Sequence, residues 1–215
     1  MSTSNDCPTP RADPVARPEW QPGSRFTAAA CVTEQTYRLQ RLRRHNRNMH
    51  GWGVLCGLWV APGADGAHPW SVKICPGYAI GPYGDEIEVP NATAVNIEDY
   101  LWFRPQTFAT VALPSIAYIV VRYQEWLDGM VPLPGAPCDC ADPEYGASRI
   151  GDGYQAGVVW TSPVSIVVPG ICDAESQPCP PCPSSPWVTL ARVTLPAQGV
   201  GITAAMIDNG IRSTL

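Results

Sequence analysis

Downstream of Thr33, Leu39, Leu42, Asn46 and Met49 recur at i, i+3, i+7 and i+10. That spacing marks one narrow face of a helix, predicted over about 33–49. Thr33 is the expected N-cap, and Glu34 places an anion in the first turn, where the helix dipole favours it. Gly51 is placed to stop the helix, and His50 sits where the dipole favours a cation. Arg38, Arg41, Arg43, Arg44 and Arg47 occupy the remaining sides. Asn46, polar on the otherwise apolar face, is expected to bond to backbone and fix the helix against a sheet.

Beyond Gly51 the period changes. Residues 52–60 (WGVLCGLWV) read as a buried strand interrupted by glycine, as a bulge or a close backbone approach requires. Short strands are predicted at 71–75, 78–80, 86–89 and 92–97, separated by Pro-Gly and Gly-Pro-Tyr-Gly turns. Within 86–89, Glu and apolar residues alternate, the mark of a half-exposed strand. YIVVRY at 118–123 is the richest β segment, followed by 154–160, 164–168 and 187–195. A short helix or turn is expected at 203–209. Two stretches crowded with Pro, Gly and Cys, about 128–149 and 169–186, read as long loops. The fold expected is α+β, mainly β. One N-terminal arginine-rich helix packs on an antiparallel β sandwich or barrel-like module in a single domain, 24–215. An extended Pro-rich arm, 1–23, precedes it.

Composition sharpens this. The chain has 215 residues, 45% hydrophobic and only 15% charged, with 24 Pro and 19 Gly. That suits short strands and many turns and argues against a helical bundle. A net charge of −5 gives no global attraction to nucleic acid or anionic membranes, although five of the fourteen basic residues fall within 38–47. No transmembrane helix is expected, because no apolar run is long enough. The polar, Pro-rich N-terminus lacks the apolar stretch of a secretory signal.

Catalytic fingerprints are missing: no G-x-S-x-G elbow, Walker A loop, H-E-x-x-H helix or Rossmann glycine pattern occurs. His45 and His50, five apart on a helix, are expected to point to different sides and share no metal. Asp85 and Glu86 read as turn residues. Cysteine offers the one constellation with chemistry. Cys138 and Cys140 lie in one loop, and Cys172, Cys179 and Cys182 in the other. Cys138, Cys140, Cys179 and Cys182 could present four thiolates to a structural Zn²⁺, with Cys172 as a substitute. Disulfides between the loops, or free thiols, explain the same residues; with nine cysteines, at least one is unpaired within the chain. Cys31, Cys56 and Cys75 lie in apolar stretches and are expected to be buried packing residues.

The segment Thr33-Glu34-Gln35-Thr36-Tyr37, then Arg43-Arg44-His45-Asn46-Arg47-Asn48-Met49-His50-Gly51-Trp52-Gly53-Val54-Leu55-Cys56-Gly57-Leu58-Trp59-Val60, resembles proteins encoded beside phage-tail-like contractile injection systems. Pro76-Gly77-Tyr78-Ala79-Ile80, Gly84-Asp85-Glu86-Ile87-Glu88-Val89, Arg149-Ile150-Gly151-Asp152-Gly153-Tyr154 and Leu190-Ala191-Arg192-Val193-Thr194-Leu195 continue the likeness. The resemblance implies a structural place in a tail or baseplate, with other tail or baseplate subunits as partners and with homo-oligomerisation. It implies no enzymatic activity.

The arginines of the helix are then expected to pair partly with Asp85, Glu86 or Glu88 and partly with a neighbouring subunit. A second reading, a carbohydrate-binding module, rests on Trp102, Trp126 and Trp160 as stacking platforms. A redox or metal-dependent enzyme is the third. Elemental analysis showing substoichiometric zinc and iron would remove the metal reading. Thiol counts with and without reductant separate disulfides from free cysteines.

Overall fold

The computed structural model describes residues 16–63, 66–103, 115–133, 145–162, 183–197, 199–212 and 214–215, without the side chains of 102 and 103. A helix, α1 (Ala28–His45), continues into a π-helical turn, Asn46–His50. Ten strands follow: β1 (Gly53–Gly57), β2 (Val60–Pro62), β3 (Ser71–Ile74), β4 (Gly77–Ile80), β5 (Glu86–Val89), β6 (Thr93–Asn96), β7 (Ile116–Pro132), β8 (Tyr145–Val159), β9 (Val188–Thr194) and β10 (Ile207–Asp208). Short 3-10 turns cover Ile97–Phe103, Ala204–Met206 and Asn209–Ile211. The expectation of a mainly β fold with one helix on antiparallel sheets holds, and the described strands close no barrel.

Three antiparallel sheets, ordered β1-β4-β5, β2-β3-β6 and β10-β9-β7-β8, share one core. Trp70, Leu58, Ile74, Ile87, Ile97, Ile119 and Leu190 are fully buried in it. Alternation fixes which side of each strand faces inward: in β5, Ile87 and Val89 are buried and Glu86 and Glu88 exposed.

The passage from the first sheet to the second is tightly packed. β1 carries a bulge between Val54 and Cys56, and the backbone then enters the left-handed region at Gly57 (φ 63°) and Leu58 (φ 54°). Leu58 adopts this disfavoured conformation while fully buried. A Cβ on Gly57 would lie 2.1 Å from the Pro76 carbonyl oxygen, and one on Gly77 would lie 2.4 Å from the Cys56 oxygen. Two glycines facing each other across β1 and β4 therefore permit the approach. Arg212 ties down the outside, donating to the Gly57 carbonyl at 3.1 Å and lying over the Trp59 ring.

Several boundaries differ from expectation. Thr27, not Thr33, caps α1, its hydroxyl accepting from the Ala30 amide at 3.1 Å; Thr33 donates back to the Ala29 carbonyl inside the helix. The run 28–30 of alanines gives no amphipathic signal, so periodicity alone placed the start too late. Both described ends of the segment read as a loop over 128–149 are strand: 128–132 belong to β7 and 145–149 to β8, which pair from Tyr118↔Val159 to Pro132↔Tyr145, and 134–144 lie outside the described residues. Gly129 and Pro132 suggested a break, yet Gly129 sits inside the ladder with φ 65°. Cys56 is exposed and Cys31 and Cys75 only partly covered, so none is the buried packing residue expected. Cys56 lies on a bulged strand and Cys31 on a helix without buried side chains. The strand expected at 164–168 and the loop at 169–182 lie outside the described residues.

Asn209 is buried and clamps β2: its Oδ1 accepts from the Val60 amide at 2.9 Å and its Nδ2 donates to the Val60 carbonyl at 3.0 Å. Asn209→Ala leaves both backbone groups unpaired in the core, a loss of about 2–4 kcal/mol. Urea unfolding measures it; a loss below about 1 kcal/mol would show that the clamp is dispensable.

Candidate functional site

Helix α1 is 18 residues long and buries none of its side chains. It touches the β domain through its C-terminal end, at the turn between β4 and β5. That turn is closed by the Gly81 amide donating to the Asp85 carbonyl at 2.7 Å and the Gly84 amide donating to the Gly81 carbonyl at 2.8 Å. Gly84, at φ 87°, presents bare backbone to the helix: a Cβ there would sit 2.0 Å from the Arg43 carbonyl oxygen. Buried Asn46 donates from Nδ2 to the Gly84 carbonyl at 3.0 Å, the expected anchoring of helix to sheet. Arg43 forms an ion pair with Asp85, also as expected, and its guanidinium lies 3.7 Å from Glu125 and 5.7 Å from the Tyr123 ring centre.

Of the other arginines, Arg38 pairs with Glu34 on its own helix at 2.7 Å, and Arg47 is engaged. Arg41 and Arg44 are exposed and have no ion-pair partner among the described residues. The structure brings Arg43 to the sheet. His45 and His50, expected to diverge, instead meet edge to face with ring centres 5.2 Å apart. The π turn explains this, because its wider coil stacks residues five apart. Among the described residues no three metal-ligating side chains converge. Cys138, Cys140, Cys172, Cys179 and Cys182 lie outside the described residues.

Between α1 and the β7–β8 hairpin runs a groove of about 270 Å³ that linear spacing did not reveal. Leu39, Leu42 and Arg43 form one wall, Tyr78, Glu86, Glu88 and Pro90 another, and Tyr123, Trp126, Asp152 and Tyr154 the third. Its sides are open, since Leu39, Leu42 and Trp126 are exposed. The Tyr123 hydroxyl donates to Asp152 Oδ1 at 2.5 Å and to Glu125 at 3.2 Å. Burial, then the hydrogen bond to Asp152, pushes the Tyr123 phenol far up. Burial and the bond to Glu86 push Tyr78 up to about 12. Asp85 is also raised, chiefly by burial, although Arg43 pulls it down. The groove gathers four carboxylates, and the Tyr78 and Tyr123 phenols stay protonated at neutral pH. The signal missed in the sequence is the alternation in β5, which already places Glu86 and Glu88 on one side.

Of the three tryptophans read as sugar platforms, Trp126 is exposed in this groove, Trp160 packs partly against the core, and the Trp102 side chain lies outside the described residues. No described helix is long and apolar enough to cross a membrane.

No family model matches the chain, and no curated protein matches it. It is similar to chains in two solved structures. One is the TssK-TssF-TssG baseplate subcomplex of the type VI secretion system, seen by cryo-electron microscopy (TM-score 0.42, 13% identity, 86% of this chain and 58% of that chain). The other is the baseplate complex from the type VI secretion system (TM-score 0.42, 13% identity, 86% and 39%). The chain therefore spans 58% and 39% of the lengths of these neighbours, and a likeness this weak carries no argument about role.

Two outcomes test the docking geometry. Gly84→Ala drives a Cβ into the Arg43 backbone and strains φ. Hydrogen exchange over 28–50 is expected to lose protection while β7 and β9 keep theirs; unchanged protection would refute the contact. For Asp85, the folded value lies above the unfolded one, so its contribution to stability is full at low pH. It is lost as pH rises from about 4 through the folded value. The urea midpoint of the wild type relative to Asp85→Asn is expected to fall across that range; a rise would mean Arg43 outweighs burial.

Proposed function

We propose that the chain is a structural or adaptor subunit of a phage-tail-like assembly, a contractile injection system or a tail or baseplate, and not an enzyme. The observation that carries this reading is α1. In proteins most helical stability comes from packing of an apolar face rather than from intrinsic propensity. This helix is held at one end and leaves Phe26, Val32, Leu39, Leu42 and Met49 in solvent, Met49 at 70%. Trp20 stacks on Phe26 with ring centres 4.4 Å apart, so even the segment leading into the helix presents an aromatic surface. A neighbouring chain that covers these side chains supplies the missing layer. The resemblance to proteins of contractile injection systems rests most heavily on the same segment.

The groove supports holding rather than reacting. Asp85 is engaged by Arg43, Asp152 by Tyr123 and Glu86 by Tyr78, so each of these carboxylates already has a donor. Neither phenol titrates near neutrality, which leaves no poised acid–base pair. The single-domain organisation with an extended Pro-rich arm at 1–23, and residence in the assembled particle, belong to the same proposal.

In cells that build such particles, the full chain is expected to co-sediment with purified particles at a fixed ratio to the sheath or tube subunit. Recovery of the chain only in the particle-free fraction would overturn the reading.

A further inference from the structure

We infer that the groove beside α1 receives the arginine face of α1 from a second copy of this chain, so that copies associate head to tail. This rests on α1 being a docking element, and it adds the identity of one partner.

The groove offers what a guanidinium needs. Four carboxylates, those of Asp85, Glu86, Glu88 and Asp152, line it against one cation, Arg43. Arg43 is committed to Asp85, and Arg38, Arg149 and Arg192 pair with Glu34, Asp128 and Asp208 rather than with Glu86, Glu88 or Asp152. Beside them stand Tyr78, Tyr123, Tyr154 and Trp126, the last 59% exposed. Arginine combines planar pairing to carboxylate with stacking on aromatic faces, and lysine does not. The chain already uses this contact three times, with Arg43 on Tyr123, Arg122 on Trp187 and Arg212 on Trp59.

The complementary surface is on the same chain. At about 100° per residue, Leu39, Leu42 and Arg43 share the side of α1 that walls the groove, and Arg41 and Arg44 fall on the opposite side. The acidic groove and the free arginines of one molecule therefore face away from each other. They can meet only between molecules. Such a contact joins two different patches, which closes into rings or extends as a filament. The opposed charges also set the register and speed the encounter.

Light scattering on the full chain, from dilute to concentrated and at low and high salt, tests this. Mass is expected to rise with concentration and to fall with salt. Arg41→Glu with Arg44→Glu, and separately Glu86→Lys with Glu88→Lys, should each weaken association at least about tenfold. These residues are exposed, and mixing the two variants should restore association through one intact arginine face and one intact groove. That rescue also requires both variants to be folded. A wild type that stays monomeric throughout, or a mixture that stays monomeric, overturns the inference. A monomeric chain that still co-sediments with particles overturns it while leaving the proposed function standing. A chain that self-associates but never enters particles does the reverse.

Discussion

The contact on which the molecule turns is between the end of α1 and the Gly81–Asp85 turn. Three features of different kind act within one turn of helix. Gly84 removes a side chain so that backbone meets backbone. Asn46 satisfies the carbonyl this approach would otherwise strand. Arg43 neutralises the carboxylate that burial makes costly. Because the last two residues belong to the helix and the first to the sheet, each is useless without the others. The π turn follows from the same contact. One extra residue between His45 and Gly51 lets Asn46 face the sheet while the chain turns into β1.

Much of this was legible. Asn46 on an apolar face announced its bond to backbone, and Asp85 was among the expected partners of the arginines. The glycine break in WGVLCGLWV proved to be both a bulge and a close approach. The alternation of β5 gave its burial correctly. What escaped has a common cause: it depends on residues far apart in the chain. The groove joins α1, β5 and the β7–β8 hairpin, and no local spacing brings Glu88 to Asp152. The rings of His45 and His50 meet only because the helix widens, which five-residue spacing on an ideal helix forbids. In the hairpin, Gly129 and Pro132 weaken strand propensity, and tertiary pairing overrides them.

The hairpin is the second under-supported projection. β9 covers β7 only over Ile116–Val121, whereas β8 accompanies it to Pro132. Beyond Tyr123 the pair is a two-stranded ribbon, a form that is marginal alone in water. Trp126 holds it by lying across Gly151 and Gly153, where side chains would clash with the indole. The Ser148 hydroxyl donates to the Gly129 carbonyl at 2.6 Å and bridges the irregular position.

Helix and ribbon share one logic. On β7, the residues Ala117, Ile119 and Val121 point into the core, and the same side continues outward through Tyr123, Glu125 and Leu127. Leu127 is 70% exposed and its cross-strand neighbour Ile150 60%. Apolar surface thus runs past the end of the core, as Leu39 and Leu42 of α1 line the groove while remaining exposed. A fold that buries Trp70 and the Val and Ile of nine strands does not leave such surface bare for want of apolar residues to fill a layer. In the proposed assembly the missing layer is intermolecular, and the groove between these two projections, acidic where the helix is basic, serves there as a joint.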